Sequence, residues 1–215
     1  MFLLLLLLVP SLHSLHVTHI SDCGTTRGCW KLPNGCKNEA DCQTMITWKH
    51  ERRHLIVEVE SKMVGEGQWL GIGFSKDEMM GNDTVFECQF ASGTSGSVVL
   101  SHNTAKRNIV LKTASDLLIR DGFTEVVDGK AMCGGEWILD NIHLDSQERN
   151  LMHVISSGRY HLFFAYGDMK NGMKRIHGMS GKEAPWISKQ QVRFCQRCST
   201  SFINLDSNAE DEFKD

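Results

Sequence analysis

Two adjacent thioethers, Met79 and Met80, stand at the turn after a strand that carries glycine along one face. A thioether is a soft donor, suited to a soft or borderline metal. Within Gln68 to Cys88 (Q-W-L-G-I-G-F-S-K-D-E-M-M-G-N-D-T-V-F-E-C) the first half alternates. Trp69, Gly71 and Gly73 point one way, and Leu70, Ile72 and Phe74 the other. Glycine at alternate positions removes the Cβ atoms from one face, so a bulky flat group can lie against it. In extended structure Met79 and Met80 face opposite ways, so only one of them can serve as a ligand. Other chemistries lack their residues: there is no G-x-S-x-G, no H-E-x-x-H, no P-loop, and no G-x-G-x-x-G that follows a strand into a helix.

The elements that must position these residues read as short strands. Met45 to Trp48 and His54 to Val59 alternate around a basic turn at Glu51 to Arg53, and Trp69 to Phe74 and Val85 to Phe90 follow. Beyond a Gly/Ser turn at Ala91 to Gly96 come Ser97 to Ser101, Asn108 to Thr113, Leu117 to Arg120, Thr124 to Asp128, Trp137 to Leu139 and Tyr160 to Tyr166. Only Ser146 to Ile155 has the pattern of a short helix. Strands about 8–12 residues apart with turn signals between them predict an all-β sandwich or barrel. With no repeat and no linker, 215 residues make one domain.

A formal charge of −3 without a basic block argues against nucleic acid as a partner. Residues 1–15 read as a signal peptide, with the apolar run Leu3 to Val9 ended by Pro10 and small Ser14 near the cleavage point. That run is far shorter than the roughly 20 residues of a membrane span, and the acidic tail, 196–215, has no lipid-anchor signal. A secreted, extracellular protein without membrane insertion is expected. All eight cysteines (Cys23, Cys29, Cys36, Cys42, Cys88, Cys133, Cys195, Cys198) lie beyond the leader, and an even count in an exported chain reads as disulfides. The first four crowd into a Gly/Asn-rich lead-in, 16–44, that needs crosslinks because it offers little apolar surface. Cys195-Gln-Arg-Cys198 lacks the second close pair of a zinc site and the strand–helix context of a redox motif.

W-x-G-x-G-F-S, a short polar run, then M-G-x-D-x-V resembles the signature of the DOMON domain, and the cysteine-rich lead-in is similar to that preceding several animal DOMON domains. The resemblance covers roughly Cys23 to Phe194, with the domain proper at 45–195. It implies an immunoglobulin-like antiparallel β-sandwich, which in many members binds haem b between a methionine and a histidine. Carried onto this sequence, Met80 is the axial methionine. His177, in a late loop after the strand Tyr160 to Tyr166, is the axial histidine, and Gly178 beside it leaves room for a macrocycle. His161, which shares a strand face with Phe163 and Ala165, is the rival, with His143 and His153 behind it. Trp69, Leu70, Ile72, Phe74, Val85, Phe164 and Tyr166 are expected as the apolar lining, and Lys174, Arg175 and Lys182 as cations for the propionates. Asn82-Asp-Thr84, an N-glycosylation acceptor, places an exposed loop two residues from Met80.

The resemblance implies one-electron transfer with Met/His ligation and a separate redox partner, since thioether plus imidazole leaves iron no open position. The alternative is a haem-free module that recognises an extracellular protein or a sugar, with Trp69 and Trp137 as a stacking platform. A monooxygenase or reductase activity would need a catalytic module that this sequence does not display.

Overall fold

The computed structural model describes residues 20–91, 95–105, 107–140, 143–194 and 204–205, with only the backbone of Lys182 and Asn204. The signal peptide, Cys195, Cys198 and most of the acidic tail lie outside the described residues.

Two sheets pack face to face. One runs in the order β13 (Asn204–Leu205), β1 (Gly28–Leu32), β2 (Thr44–Glu51), β3 (His54–Ser61), β9 (Lys130–Ile138), β8 (Ile119–Val127). The other runs β11 (Met173–Lys174), β10 (His161–Lys170), β4 (Gln68–Ser75), β5 (Asp83–Phe90), β6 (Ser97–Asn103), β7 (Asn108–Val110), with β12 (Trp186–Ile187) also paired to β10. All these pairings are antiparallel except β1 with β13. The expected all-β sandwich is the architecture found.

The core follows from the period-2 alternation. Leu55, Val57 and Val59 of β3 face Leu70, Ile72 and Phe74 of β4 and Phe86, Cys88 and Phe90 of β5. Phe74 sits edge-on to both Trp137 (5.4 Å) and Phe194 (5.3 Å), and Trp48 meets Phe194 at 5.7 Å. Each such side chain contributes about 1.5–3 kcal/mol by leaving water. Cys88–Cys133 joins β5 to β9 and so crosslinks the layers through this core. Cys23–Cys29 and Cys36–Cys42 close short loops at the N-terminal end, and the three bridges mark a domain that matures in an oxidising compartment.

Three local readings change. The lead-in is not poor in buried surface: Trp30 and Leu32 of β1 are fully buried and β1 pairs with β2, while Leu205, in the expected tail, is buried in β13. The run Asn108 to Thr113 and the start of the next strand contain a helix, α1 (Lys112–Leu118), that buries Ala114, Ser115 and Leu118. Its first turn is capped from far away, as the Glu148 carboxylate accepts from the amides of Thr113 (3.2 Å) and Ala114 (2.6 Å). The expected helix is shorter than its pattern: α2 (Ser146–Asn150) is N-capped by Asp145, which accepts from Glu148 N–H at 2.9 Å, and ends well before Ile155. Among the described residues no helix is long and apolar enough to cross a membrane.

Candidate functional site

The glycine face of β4 turns away from the second sheet. Register aligns it with His161, Phe163, Ala165 and Gly167 of β10 on one side and with Val85, Glu87 and Gln89 of β5 on the other. The floor is close-packed. A Cβ on Gly71 would lie 3.1 Å from Val85 Cγ1, and one on Gly73 would lie 3.2 Å from Phe163 Cβ. Although no sheet among the described residues covers this face, Trp69, Val85, Glu87 and Phe163 are buried.

The cover comes from the chain beyond β10. Asn171 and Gly172, both at positive φ, turn it into β11, and the return segment (residues 175–185) then runs back along β10. Arg175 N–H donates to Asp168 carbonyl (2.8 Å), and Trp69 Nε1–H donates to Arg175 carbonyl (2.9 Å). A Cβ on Gly167 would meet Ile176 carbonyl at 3.2 Å. Next comes His177, 6% exposed, whose Nδ1 lies 2.7 Å from Gly178 carbonyl oxygen. A carbonyl only accepts, so Nδ1 carries the proton, and in the neutral ring Nε2 keeps its lone pair. Gly178 is required by packing, since a Cβ there would lie 2.2 Å from Glu183 Cβ.

At the other end of the face, residues 76–82 connect β4 to β5. Asp77 Oδ1 accepts from Met79 N–H (2.8 Å), and Asp83 Oδ2 accepts from Gly81 N–H (2.9 Å). Gly81 and Asn82 adopt positive φ, which the G-N-D turn supplies. Met79 is 72% exposed and Met80 49%. Asn82 is exposed, whereas Thr84 of the same triplet is buried and its Oγ1 accepts from His153 N–H at 2.7 Å. Met80 and His177 thus belong to segments that border the glycine face, one at its Ser75 end and the other on the return segment that starts at its Trp69 end. His161 is buried in β10 opposite Ser75, its Nδ1 2.9 Å from Ser188 carbonyl oxygen, so its Nε2 is likewise left with a lone pair in the neutral ring.

Several expected site residues take other places. Leu70, Ile72, Phe74 and Phe164 belong to the interior between the sheets, and Tyr166 packs on that interior, so they do not share the face of Trp69 and Val85. Burial, then the charge of Glu183, pushes the Tyr166 phenol up. Trp137 is in the core of the opposite sheet, so it forms no platform with Trp69. Lys174 is not held in reserve for a propionate. Its ammonium pairs with buried Glu87, donates to Asn108 Oδ1 (2.7 Å) and sits 4.7 Å from the Trp69 ring centroid. Arg175 is exposed, and the Lys182 side chain lies outside the described residues.

Two polar groupings escaped the sequence reading. Glu87 lies on the glycine face and accepts from Ser101 Oγ (3.0 Å) and Gln89 Nε2 (2.8 Å) as well as from Lys174. The signal for it is a lone acid inside the apolar run V-F-E-C-Q-F, opposite Gly71. The other grouping is Asp83, His102 and His153 at the Ser75 end, where Asp83 Oδ1, His102 Nδ1 and His153 Nε2 are buried without a partner. Burial raises the Asp83 carboxyl against the opposing bonds from Gly81, Ser75 and Asn103. Burial, then the charge of Lys76, lowers His153, against its backbone bond with Asn82 and the charge of Asp83. Among the described residues no cluster of three or more His, Cys, Asp or Glu is arranged to hold a metal ion.

No family model matches the chain. It is 25% identical over 170 residues to "Putative ferric-chelate reductase 1" of Danio rerio, a match of 75% of this chain and 26% of that protein. It is 29% identical over 69 residues to "DOMON domain-containing protein FRRS1L" of Mus musculus and of Homo sapiens, 32% of this chain and 22% of each relative. The matched parts span about a quarter of these relatives' own length. Joined to the two-sheet sandwich and its glycine-faced strand, these likenesses support a DOMON domain in this chain.

Proposed function

We propose that this DOMON domain binds haem b on the glycine face, with Met80 and His177 as axial ligands, and relays single electrons to a separate partner. The observation that carries the reading is the state of His177. Its Nδ1–H is held by the Gly178 carbonyl within a segment fastened across the face, which leaves Nε2 as the donor. A carbonyl that accepts from the far ring nitrogen in this way fixes both the tautomer and the ring plane of a ligating histidine. Met80, half-exposed, supplies the soft donor at the other end. The glycines at 71, 73 and 167 let the side chains of Trp69, Val85 and Phe163 lie flat on the strand, so haem would seat against those side chains and not on bare backbone. When bound, haem would supply a one-electron couple, its potential raised by thioether ligation. The protein's own contribution is to orient two neutral ligands, exclude water beneath Trp69 and Phe163, and exchange no proton at either ligand.

Kinship with a protein named for ferric-chelate reduction supports a redox setting. The extracellular side of a membrane is the compartment in which the three disulfides would persist. The test is the visible spectrum of protein secreted from haem-replete cells, oxidised and dithionite-reduced. Sharp α and β bands on reduction are expected, and colourless protein that does not take up added haemin would end the proposal. A haem-free recognition module is then the second reading. Met79, Ile176 and Met179, each more than 70% exposed, favour a protein over a sugar as its ligand.

A further inference from the structure

We infer that the Glu87–Lys174 pair is a latch that positions the His177-bearing segment on the sheet. The role of His177 itself rests on the function proposed above, but the latch does not. Glu87 is fully buried in the middle of β5, where an acid is costly unless paired and hydrogen-bonded. Its carboxylate is completed by Ser101 Oγ, Gln89 Nε2 and the ammonium of Lys174. Lys174 is the last residue of β11, immediately before the return segment, and comes from the far edge of the sheet. Its stem crosses Trp69, its ammonium also reaches Asn108 Oδ1, and Asn108 in turn donates to Ser101 Oγ and Asn103 Oδ1 at 2.9 Å each. One cation thereby ties β11 to β5 and β7.

The next residue, Arg175, is held by the Trp69 indole, and His177 follows two residues later. β11 itself holds the segment weakly, since that strand is two residues long and, among the described residues, pairs only with the end of β10. Lys174 is therefore a positioning residue: its charge fastens the chain that presents His177, and a lysine used this way is withdrawn from any propionate.

The test uses the full secreted chain as Glu87→Gln, Lys174→Met and the double variant, the last because Lys174→Met alone strands a buried carboxylate. Near-ultraviolet circular dichroism establishes that each variant folds. The first readout needs no haem: trypsin cleavage at the exposed Arg175–Ile176 bond, located by mass spectrometry. Cleavage at least tenfold faster in the folded double variant than in wild type is expected, and an unchanged rate overturns the latch whether or not haem binds. The second readout is the low-spin signature after haemin addition. Its loss in the double variant, with its retention in Lys174→Arg, is expected. Faster cleavage with an unaltered low-spin spectrum would overturn the positioning of His177 while leaving haem binding intact. A wild type that takes up no haem would remove the proposed function, and cleavage alone would then decide the latch.

Discussion

The Trp69 indole donates to the Arg175 carbonyl at 2.9 Å, so the first large residue of the glycine-faced strand fastens the chain two residues before His177. Trp69 also lies under the Lys174 ammonium. Trp69→Phe keeps an aromatic ring but removes the donor. A net hydrogen bond is worth about 0.5–1.5 kcal/mol, and the phenyl ring keeps part of the cation–π contact, so the variant should lose about 1 kcal/mol in a urea melt. A loss above about 3 kcal/mol would mean that Trp69 serves the fold more than the segment.

The disulfides should differ in weight. Cys88–Cys133 closes 45 residues and joins the two sheets, whereas Cys36–Cys42 closes only 6. By loop-closure entropy these are worth about 4 and about 2 kcal/mol respectively. Replacing both cysteines of the first pair by Ala should therefore lower the denaturant midpoint about twice as far as the same change in the second. Equal losses would show that strain or residual structure, not loop entropy, sets their value.

Acid should weaken the fold through His153. Burial lowers its pKa below the ordinary 6.5, and Lys76 and His102 add to that while Asp83 and the Asn82 backbone oppose it. Below pH 6.5 the unfolded chain takes up this proton before the folded one, so stability falls as pH drops through that window. His50, also lowered by burial, adds a loss of the same sign. Asp83 acts the other way. Its raised pKa gives stability that is present below pH 3.8 and lost as pH rises through the folded value, so on acidification it opposes the histidine loss. Thermal melts from pH 7.5 to 5.5 should show a falling midpoint, with a shallower slope in His153→Phe. An identical slope would assign the acid sensitivity elsewhere.

How much of this was legible depended on the range of the interactions. The alternation Trp69 to Phe74 is local, so the two faces of β4 could be read directly, as could the turn at Gly81 to Asp83. Expecting Phe74 and Trp69 in one lining contradicts that same alternation, and the sandwich resolves it by burying Phe74 against Trp137. Helix α1 was not legible because its cap, Glu148, lies 34 residues beyond Ala114. Lys174 read as a free cation for the same reason: its partner Glu87 is 87 residues away. Lone charges inside apolar runs are the signal that such long-range pairs leave behind.

The ligand assignment makes the sharpest claim, because four single changes should give four different outcomes. Met80→Ala removes a weak thioether bond, so haem should stay, as a five-coordinate or water-ligated high-spin species. His177→Ala removes the stronger imidazole, so haem should be lost or held loosely. The fold should survive both changes, since Met80 is half-exposed and neither side chain belongs to the core between the sheets. Met79→Ala should leave the spectrum unchanged, because that side chain is 72% exposed next to the ligand and not itself one. His161→Ala should cost stability, because its ring is buried and bonded to the Ser188 carbonyl where β12 ends, yet it should leave a low-spin haem in place. Absorption and resonance Raman spectra of the four variants beside wild type decide it. If His161→Ala and not His177→Ala abolishes haem retention, the ligand is the strand histidine beneath the Met80 loop, and the return segment only covers the face.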